Sequence, residues 1–77
     1  MSLTIADLKK GEKAIIVDSS SEDIPLKLLE MGCLPGNIVE LLQVAPFHDP
    51  IYLNINDSYL AIRKETAALI LIDIINE

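Results

Sequence analysis

Residues 51–62 read I-Y-L-N-I-N-D-S-Y-L-A-I, two alternating runs with polar residues between them. Successive side chains of a strand point to opposite faces, so each run predicts a strand with one apolar face. A two-residue turn at Asn56-Asp57 would place Leu53 opposite Leu60 and bring the two apolar faces together, and asparagine tolerates positive φ. A turn at Asp57-Ser58 would also keep the faces matched, so the sequence leaves the register open.

Two segments before this hairpin are predicted to be strands. Residues 12–18 carry a β-branched run that ends at three serines, and residues 38–45 are mostly apolar. Pro35-Gly36 precedes the second of them and is typical of a type II turn, because proline presets φ and glycine supplies a positive φ.

Helical periodicity is confined to the first half of the chain. Between residues 21 and 31, apolar side chains recur at i, i+4 and i+7, which predicts a helix with Pro25 in its first turn. Gly32 is expected to end it in the left-handed conformation. A single helical turn is predicted from residue 4 to about residue 10, because Thr4 is followed three residues later by an acid.

The last strand is predicted over residues 69–75, after a short turn at residues 66–68. Isoleucines alternate along one of its faces, but the other face carries Leu69 and Leu71 and is also apolar. This pattern predicts either burial on both sides or an outer surface that awaits a partner, including a second copy of the chain.

These elements predict a fold that is mostly β, with about five short strands and one inserted short helix. An open sheet of this size would leave many unpaired edges, and closure removes most of them. We therefore predict a small SH3-like barrel. A chain of 77 residues has room for one small core, so residues 1–77 are predicted to form a single domain.

Charge and composition exclude several classes of function. Twelve acidic residues stand against six basic ones, the net charge is −6, and the bases are scattered, so binding to nucleic acid is not expected. No apolar run approaches the roughly 20 residues of a membrane helix, so no direct insertion is expected. A single cysteine and the lack of an export leader favour a cytoplasmic location.

The sequence offers no constellation for catalysis, and the chain is predicted not to be an enzyme. For metal binding, His48 and Asp49 are neighbours in a loop, while Cys33 follows the predicted helix and is expected to act as a small apolar side chain. A ferrous site needs several such ligands around one point. We therefore predict no cofactor, and bound Fe²⁺ only as an alternative.

The loop at residues 45–50, A-P-F-H-D-P, is instead expected to contact a partner. Two prolines stiffen it and leave Phe47 and His48 at its tip, where an exposed phenylalanine is a good anchor for a protein partner. Tyr52 and Tyr59 are predicted on the outward face of the hairpin, as surface cover or as part of the same recognition patch.

The order and spacing of these features resemble the FeoA family, ferrous iron transport protein A. The features that carry the resemblance, over almost the whole chain, are Leu8-Lys9-Lys10-Gly11, Leu28-Leu29-Glu30-Met31-Gly32, Leu34-Pro35-Gly36, Ala45-Pro46, Asp49-Pro50, Leu60-Ala61-Ile62-Arg63-Lys64, Ala68 and Ile70.

The resemblance implies an SH3-like domain that acts as a cytoplasmic adaptor and modulates the cytosolic part of a FeoB-type ferrous iron transporter. Two alternatives are a metal-binding iron carrier and a free-standing module that associates with a metal-dependent repressor. Two departures stand out: His48 occupies a position where the family often has glycine, and residues 24–28 lack the arginines usual in the helix. The second departure implies a different partner surface.

Overall fold

The chain folds as a six-stranded antiparallel sheet with two short helices in the computed structural model, which describes residues 3–75. The strands are β1 (Leu3–Thr4), β2 (Lys13–Asp18), β3 (Ile38–Val44), β4 (Ile51–Ile55), β5 (Ser58–Ile62) and β6 (Leu71–Ile74), and the helices are α1 (Leu26–Glu30) and α2 (Lys64–Ala67). The strand order is β1-β6-β2-β3-β4-β5. The overall dimensions of 28 × 27 × 27 Å are nearly equal, as expected of a sheet that curls around its core.

The hairpin β4–β5 has the register that an Asn56-Asp57 turn predicts. Leu53 pairs with Leu60, and Ile51 pairs with Ile62. Asn56 and Asp57 have φ values of 51° and 65°, so both occupy the left-handed region that a two-residue hairpin turn needs. This finding settles the register that the sequence left open.

The core is aliphatic, as the composition predicts, and contains none of the three aromatic residues. Each valine, leucine or isoleucine side chain that is fully removed from water contributes about 1.5–3 kcal/mol to folding. The buried hydrophobic residues that form this core are Ile5, Leu8, Ala14, Ile16, Ile24, Cys33, Val39, Leu41, Ile51, Leu53, Ile55, Ile62, Ala67, Ile70 and Ile72.

The start of the described chain differs from the predicted helical turn. Leu3–Thr4 forms β1 and pairs with β6, and only Ile5–Asp7 forms a 3-10 turn. The backbone N–H of Thr4 donates to the Asp7 carboxylate at 2.8 Å, so the acid stabilises this turn as expected of an acid three residues after its start. The extra strand arises from pairing with a distant segment, and it raises the strand count by one.

The helix predicted over residues 21–31 is wrong in extent, because α1 spans only Leu26–Glu30. Ile24 is buried, as its position in the apolar pattern suggests, but it lies in a turn before the helix. In this turn the N–H of Ile24 donates to the carbonyl of Ser21 at 3.2 Å. Pro25 is extended, with ψ at 136°, and so precedes the helix instead of lying in its first turn. Gly32 ends the helix with φ at +110°, as predicted.

The segment before β6 is also more helical than predicted. Residues 64–67 form α2, and the strand begins only at Leu71. Ile70 lies between them and is completely buried. The turn expected at residues 66–68 is thus the end of a short helix, and the strand predicted from residue 69 is two residues shorter at its start.

Candidate functional site

The loop at residues 45–50 is closed by its own hydrogen bonds. The N–H of Ala45 donates to the carbonyl of Pro50 at 3.0 Å, and the N–H of His48 donates to the carbonyl of Ala45 at 2.9 Å. Phe47 and His48 both have left-handed backbones, with φ at 68° and 66°. Residues with side chains adopt this conformation only where the surroundings hold them in it. The loop is therefore a defined turn.

Phe47 lies at the tip of this loop with 96% of its surface exposed. An isolated exposed apolar residue is ordinary, but Phe47 is more exposed than any other large hydrophobic side chain among residues 3–75. His48 is also exposed, beside it. The structure thus places Phe47 and His48 together at the exposed tip of the loop between β3 and β4.

Asp49 fixes the loop to the start of α2. Its carboxylate Oδ1 accepts a hydrogen bond from the backbone N–H of Lys64 at 3.0 Å, and Oδ2 lies 3.7 Å from Nη1 of Arg63. The first N–H groups of a helix have no intrahelical acceptor, so an outside carboxylate that satisfies one of them stabilises both segments. This role of Asp49 was missed in the sequence, because its partner lies fifteen residues away.

Tyr52 and Tyr59 share the outward face of the hairpin. Tyr52 pairs with Ala61 and Tyr59 pairs with Asn54, so the two rings are diagonal neighbours. Their exposed fractions are 41% and 73%. Together with Leu42 they line a shallow, mostly apolar groove across β3, β4 and β5. We call this surface the tyrosine groove.

Leu69 and Leu71 do not join these residues. Leu69 is half-buried against the core, and Leu71 is half-buried in β6, where it pairs with Thr4 of β1. Three strands separate β6 from β5 in the sheet. The face that the sequence predicted as either buried or open is therefore half-buried at Leu69 and Leu71 in the described part of the chain.

The other exposed apolar side chains were not singled out in the sequence. Ile15 of β2 pairs with Ile38 of β3 on the outer face, with 37% and 52% of their surfaces exposed, and Val17 is exposed nearby at 49%. A continuous apolar run does not reveal which of its residues point outward. The alternating burial of β2 makes that distinction.

Cys33 lies in the core and is completely buried. Burial raises the pKa of its thiol from 9.0 to about 11, because the charged thiolate loses its hydration. This agrees with its expected place as a small apolar side chain. Among residues 3–75, no three His, Cys, Asp or Glu side chains gather closely enough to hold a metal ion. No helix in the same range is long and apolar enough to span a bilayer.

Comparison with known proteins identifies the class of domain. A family model described as the FeoA domain matches residues 3–74, so the chain belongs to the FeoA family. A curated relative from Porphyromonas gingivalis, an Fe(2+) transport protein A/Fe(2+) transporter FeoB fusion protein, is 33% identical over 75 residues. That match covers 96% of this chain but 9% of the relative.

Solved structures show the same architecture. The solution structure of FeoA from Chlorobium tepidum is 28% identical with a TM-score of 0.88, and the match covers 96% of this chain and 71% of that one. FeoA from Stenotrophomonas maltophilia, described as an SH3 domain protein and solved with zinc, is 20% identical with a TM-score of 0.77 over 92% of this chain and 89% of that one. The predicted SH3-like fold is confirmed.

Proposed function

We propose that this chain binds the cytosolic part of a FeoB-type ferrous iron transporter and modulates iron uptake by favouring one of its conformations. The observation that carries the proposal is the Porphyromonas gingivalis relative, in which FeoA and FeoB form one polypeptide. A covalent link holds two domains at high effective concentration, which suits domains that work in contact. An adaptor shifts a conformational equilibrium only through a difference in affinity for the two states.

The loop at residues 45–50 is the contact surface we propose. Phe47 is almost fully exposed to solvent. Burial of a phenylalanine side chain in an interface removes roughly 150–250 Å² of surface from water. The hydrogen bonds of the loop and the Asp49 contact to α2 fix its backbone in advance, which lowers the entropy cost of binding. Such a residue is the kind that dominates the affinity of an interface.

Charge at this loop favours an apolar receiving site on the partner. Asp49 and Arg63 are 3.7 Å apart and partly neutralise each other, so the tip presents Phe47 and His48 without a strong net charge. We expect a complementary pocket that takes up the phenylalanine ring. We also predict that the tyrosine groove on the neighbouring hairpin forms a second part of the contact with the transporter.

Binding affinity for the transporter's cytosolic domain, measured by calorimetry, tests the role of the loop. We expect Phe47→Ala to weaken binding by about thirtyfold, which corresponds to about 2 kcal/mol. Leu26→Ala is the matched control, because Leu26 is 68% exposed on α1, outside the proposed contact. Equal affinities of the wild type and Phe47→Ala would show that the loop is not the contact.

The iron carrier remains the rival function, and a different measurement separates it. Anaerobic calorimetry with ferrous ion alone is expected to give no micromolar binding to this chain. Micromolar binding that His48→Ala abolishes would favour the carrier, since His48 is the single histidine of the chain. The third alternative is a module that associates with a metal-dependent repressor. A pull-down that compares transporter and repressor domains distinguishes it from the adaptor.

A further inference from the structure

Within residues 3–75, strand β5 lies at one edge of the sheet and pairs with β4 alone. In an antiparallel hairpin, residues alternate between those bonded to the neighbour and those that point away from it. The two-residue turn makes Ser58, Leu60 and Ile62 the bonded set. The N–H and C=O groups of Tyr59 and Ala61 therefore point away from β4, and within residues 3–75 neither backbone is bonded to a segment outside the hairpin.

This edge lacks the usual protection against pairing. Natural edge strands commonly carry a charged residue or a proline that discourages another strand from joining. Residues 58–62 read S-Y-L-A-I and contain neither. Tyr59 is 73% exposed, and Ala61 is exposed beside it. The edge is thus open to an added strand.

The charges at the two ends of β5 indicate which strand would pair with this edge. Asp57 stands directly before β5 and Arg63 directly after it, each three residues from Leu60. If a second copy pairs antiparallel about a two-fold axis at Leu60, Asp57 of each copy lies opposite Arg63 of the other. The same register places Tyr59 opposite Ala61, so all four free backbone groups of each chain find partners.

We propose that β5 is a self-association edge, through which two copies of this chain form one continuous antiparallel sheet. Four main-chain hydrogen bonds, two Asp57–Arg63 ion pairs and the packing of each Tyr59 ring on Ala61 of the other copy hold the pair. The net charge of −6 on each chain makes two copies repel each other over most of their surfaces. The opposite charges at the ends of β5 therefore favour association through this edge. The proposal goes beyond the proposed function, since it requires no transporter.

Sedimentation equilibrium from micromolar to millimolar concentration tests the edge. The wild type is expected to approach twice its monomer mass as concentration rises. Ala61→Pro removes an N–H that faces the free edge and leaves the β4 ladder intact, so it is expected to weaken association by about tenfold or more. Ala61→Ser keeps the N–H and is the matched control. In the wild type, exchange of the Tyr59 and Ala61 amides should slow as the dimer forms.

A charge swap identifies the register. Arg63→Glu and Asp57→Lys each place like charges opposite one another, so each variant alone is expected to associate more weakly than the wild type. An equimolar mixture of the two restores opposite charges at both contacts and should associate again. Asp49→Asn is the control for Arg63→Glu, because it removes the internal Asp49–Arg63 pair without a change at the edge. Far-UV circular dichroism verifies that each variant is folded.

Three results would overturn the proposal. One is a wild type that stays monomeric at millimolar concentration. Another is a dimer that Ala61→Pro leaves equally tight, which would assign association to another face. The third is a mixture of the charge variants that does not recover. A monomeric wild type whose Tyr59 and Ala61 amides shift on addition of the transporter domain would assign the edge to the transporter and leave the proposed function standing.

Discussion

The carboxylate of Asp49 accepts a hydrogen bond from the backbone N–H of Lys64 at 3.0 Å, and this contact joins the loop at residues 45–50 to the start of α2. It connects the segment that displays Phe47 to the segment that follows the hairpin. The exposed phenylalanine therefore stands on a supported loop, and that support can be tested apart from binding.

Loss of the Asp49 carboxylate is expected to destabilise the chain. Asp49→Ala removes the acceptor of the Lys64 N–H and should lower the free energy of unfolding by about 0.5–2 kcal/mol, as loss of a helix cap does. Asp49→Asn keeps an oxygen acceptor and should cost less than Asp49→Ala. Urea denaturation measures both. If the two variants cost the same, the hydrogen bond is not the source of the stability.

Gly32 is expected to resist substitution because of its backbone conformation. Its φ of +110° strains any residue with a Cβ, although a Cβ built there lies 3.5 Å from its nearest neighbours, an ordinary contact. Gly32→Ala should therefore lower the free energy of unfolding by about 1–2 kcal/mol. Lys27→Ala, on the exposed surface of α1, is the control and should change it by less than about 0.5 kcal/mol. An unchanged stability of Gly32→Ala would refute the backbone argument.

Cys33 is expected to make stability fall in alkaline solution. The folded state holds the thiol pKa near 11 against 9.0 when unfolded, so the unfolded state releases its proton first as pH rises. Below pH 9 the thiol is neutral in both states and its titration does not lower the free energy of unfolding. Between pH 9 and pH 11 the free energy of unfolding falls by about 2–3 kcal/mol, because only the unfolded state gains from ionisation of the thiol. Denaturation at several pH values should show a shallower decline for Cys33→Ala. Parallel curves would contradict the burial of a neutral thiol.

Phe47 is expected to matter for binding and not for folding. With 96% of its surface exposed, Phe47→Ala should change the free energy of unfolding by less than about 0.5 kcal/mol. Leu53→Ala, at a completely buried position of β4, should by contrast cost about 2–5 kcal/mol. Thermal and urea unfolding compare the two variants. A large loss in Phe47→Ala would mean that the ring packs against the domain in solution.

The hairpin was predictable because its information is local. Alternation of apolar residues fixes the faces of β4 and β5, and two turn residues that tolerate positive φ fix the register. The glycine at the end of α1 was predictable for the same reason. The number of short strands and the need to close their edges then predicted the SH3-like fold, and the family resemblance implied the same fold.

The misjudged features depend on contacts between distant segments. β1 exists because Leu3–Thr4 pairs with β6, nearly seventy residues later. The helix predicted over residues 21–31 is too long, because Ile24 is buried while it lies in a turn. Helical spacing of apolar residues alone does not distinguish that turn from a helix. The Asp49–Lys64 contact has no sequence signature. For the candidate site, Phe47 and its loop were predictable, whereas the support beneath them was not.

An NMR titration of the isotope-labelled chain with the cytosolic domain of a FeoB-type transporter tests whether the chain binds that domain through the loop at residues 45–50. We expect saturable shifts centred on residues 45–50, with smaller changes at the neighbouring residues of α2 and with no change at the amides of the core strands β2 and β6. A spectrum that stays unchanged up to millimolar transporter domain would contradict the adaptor function.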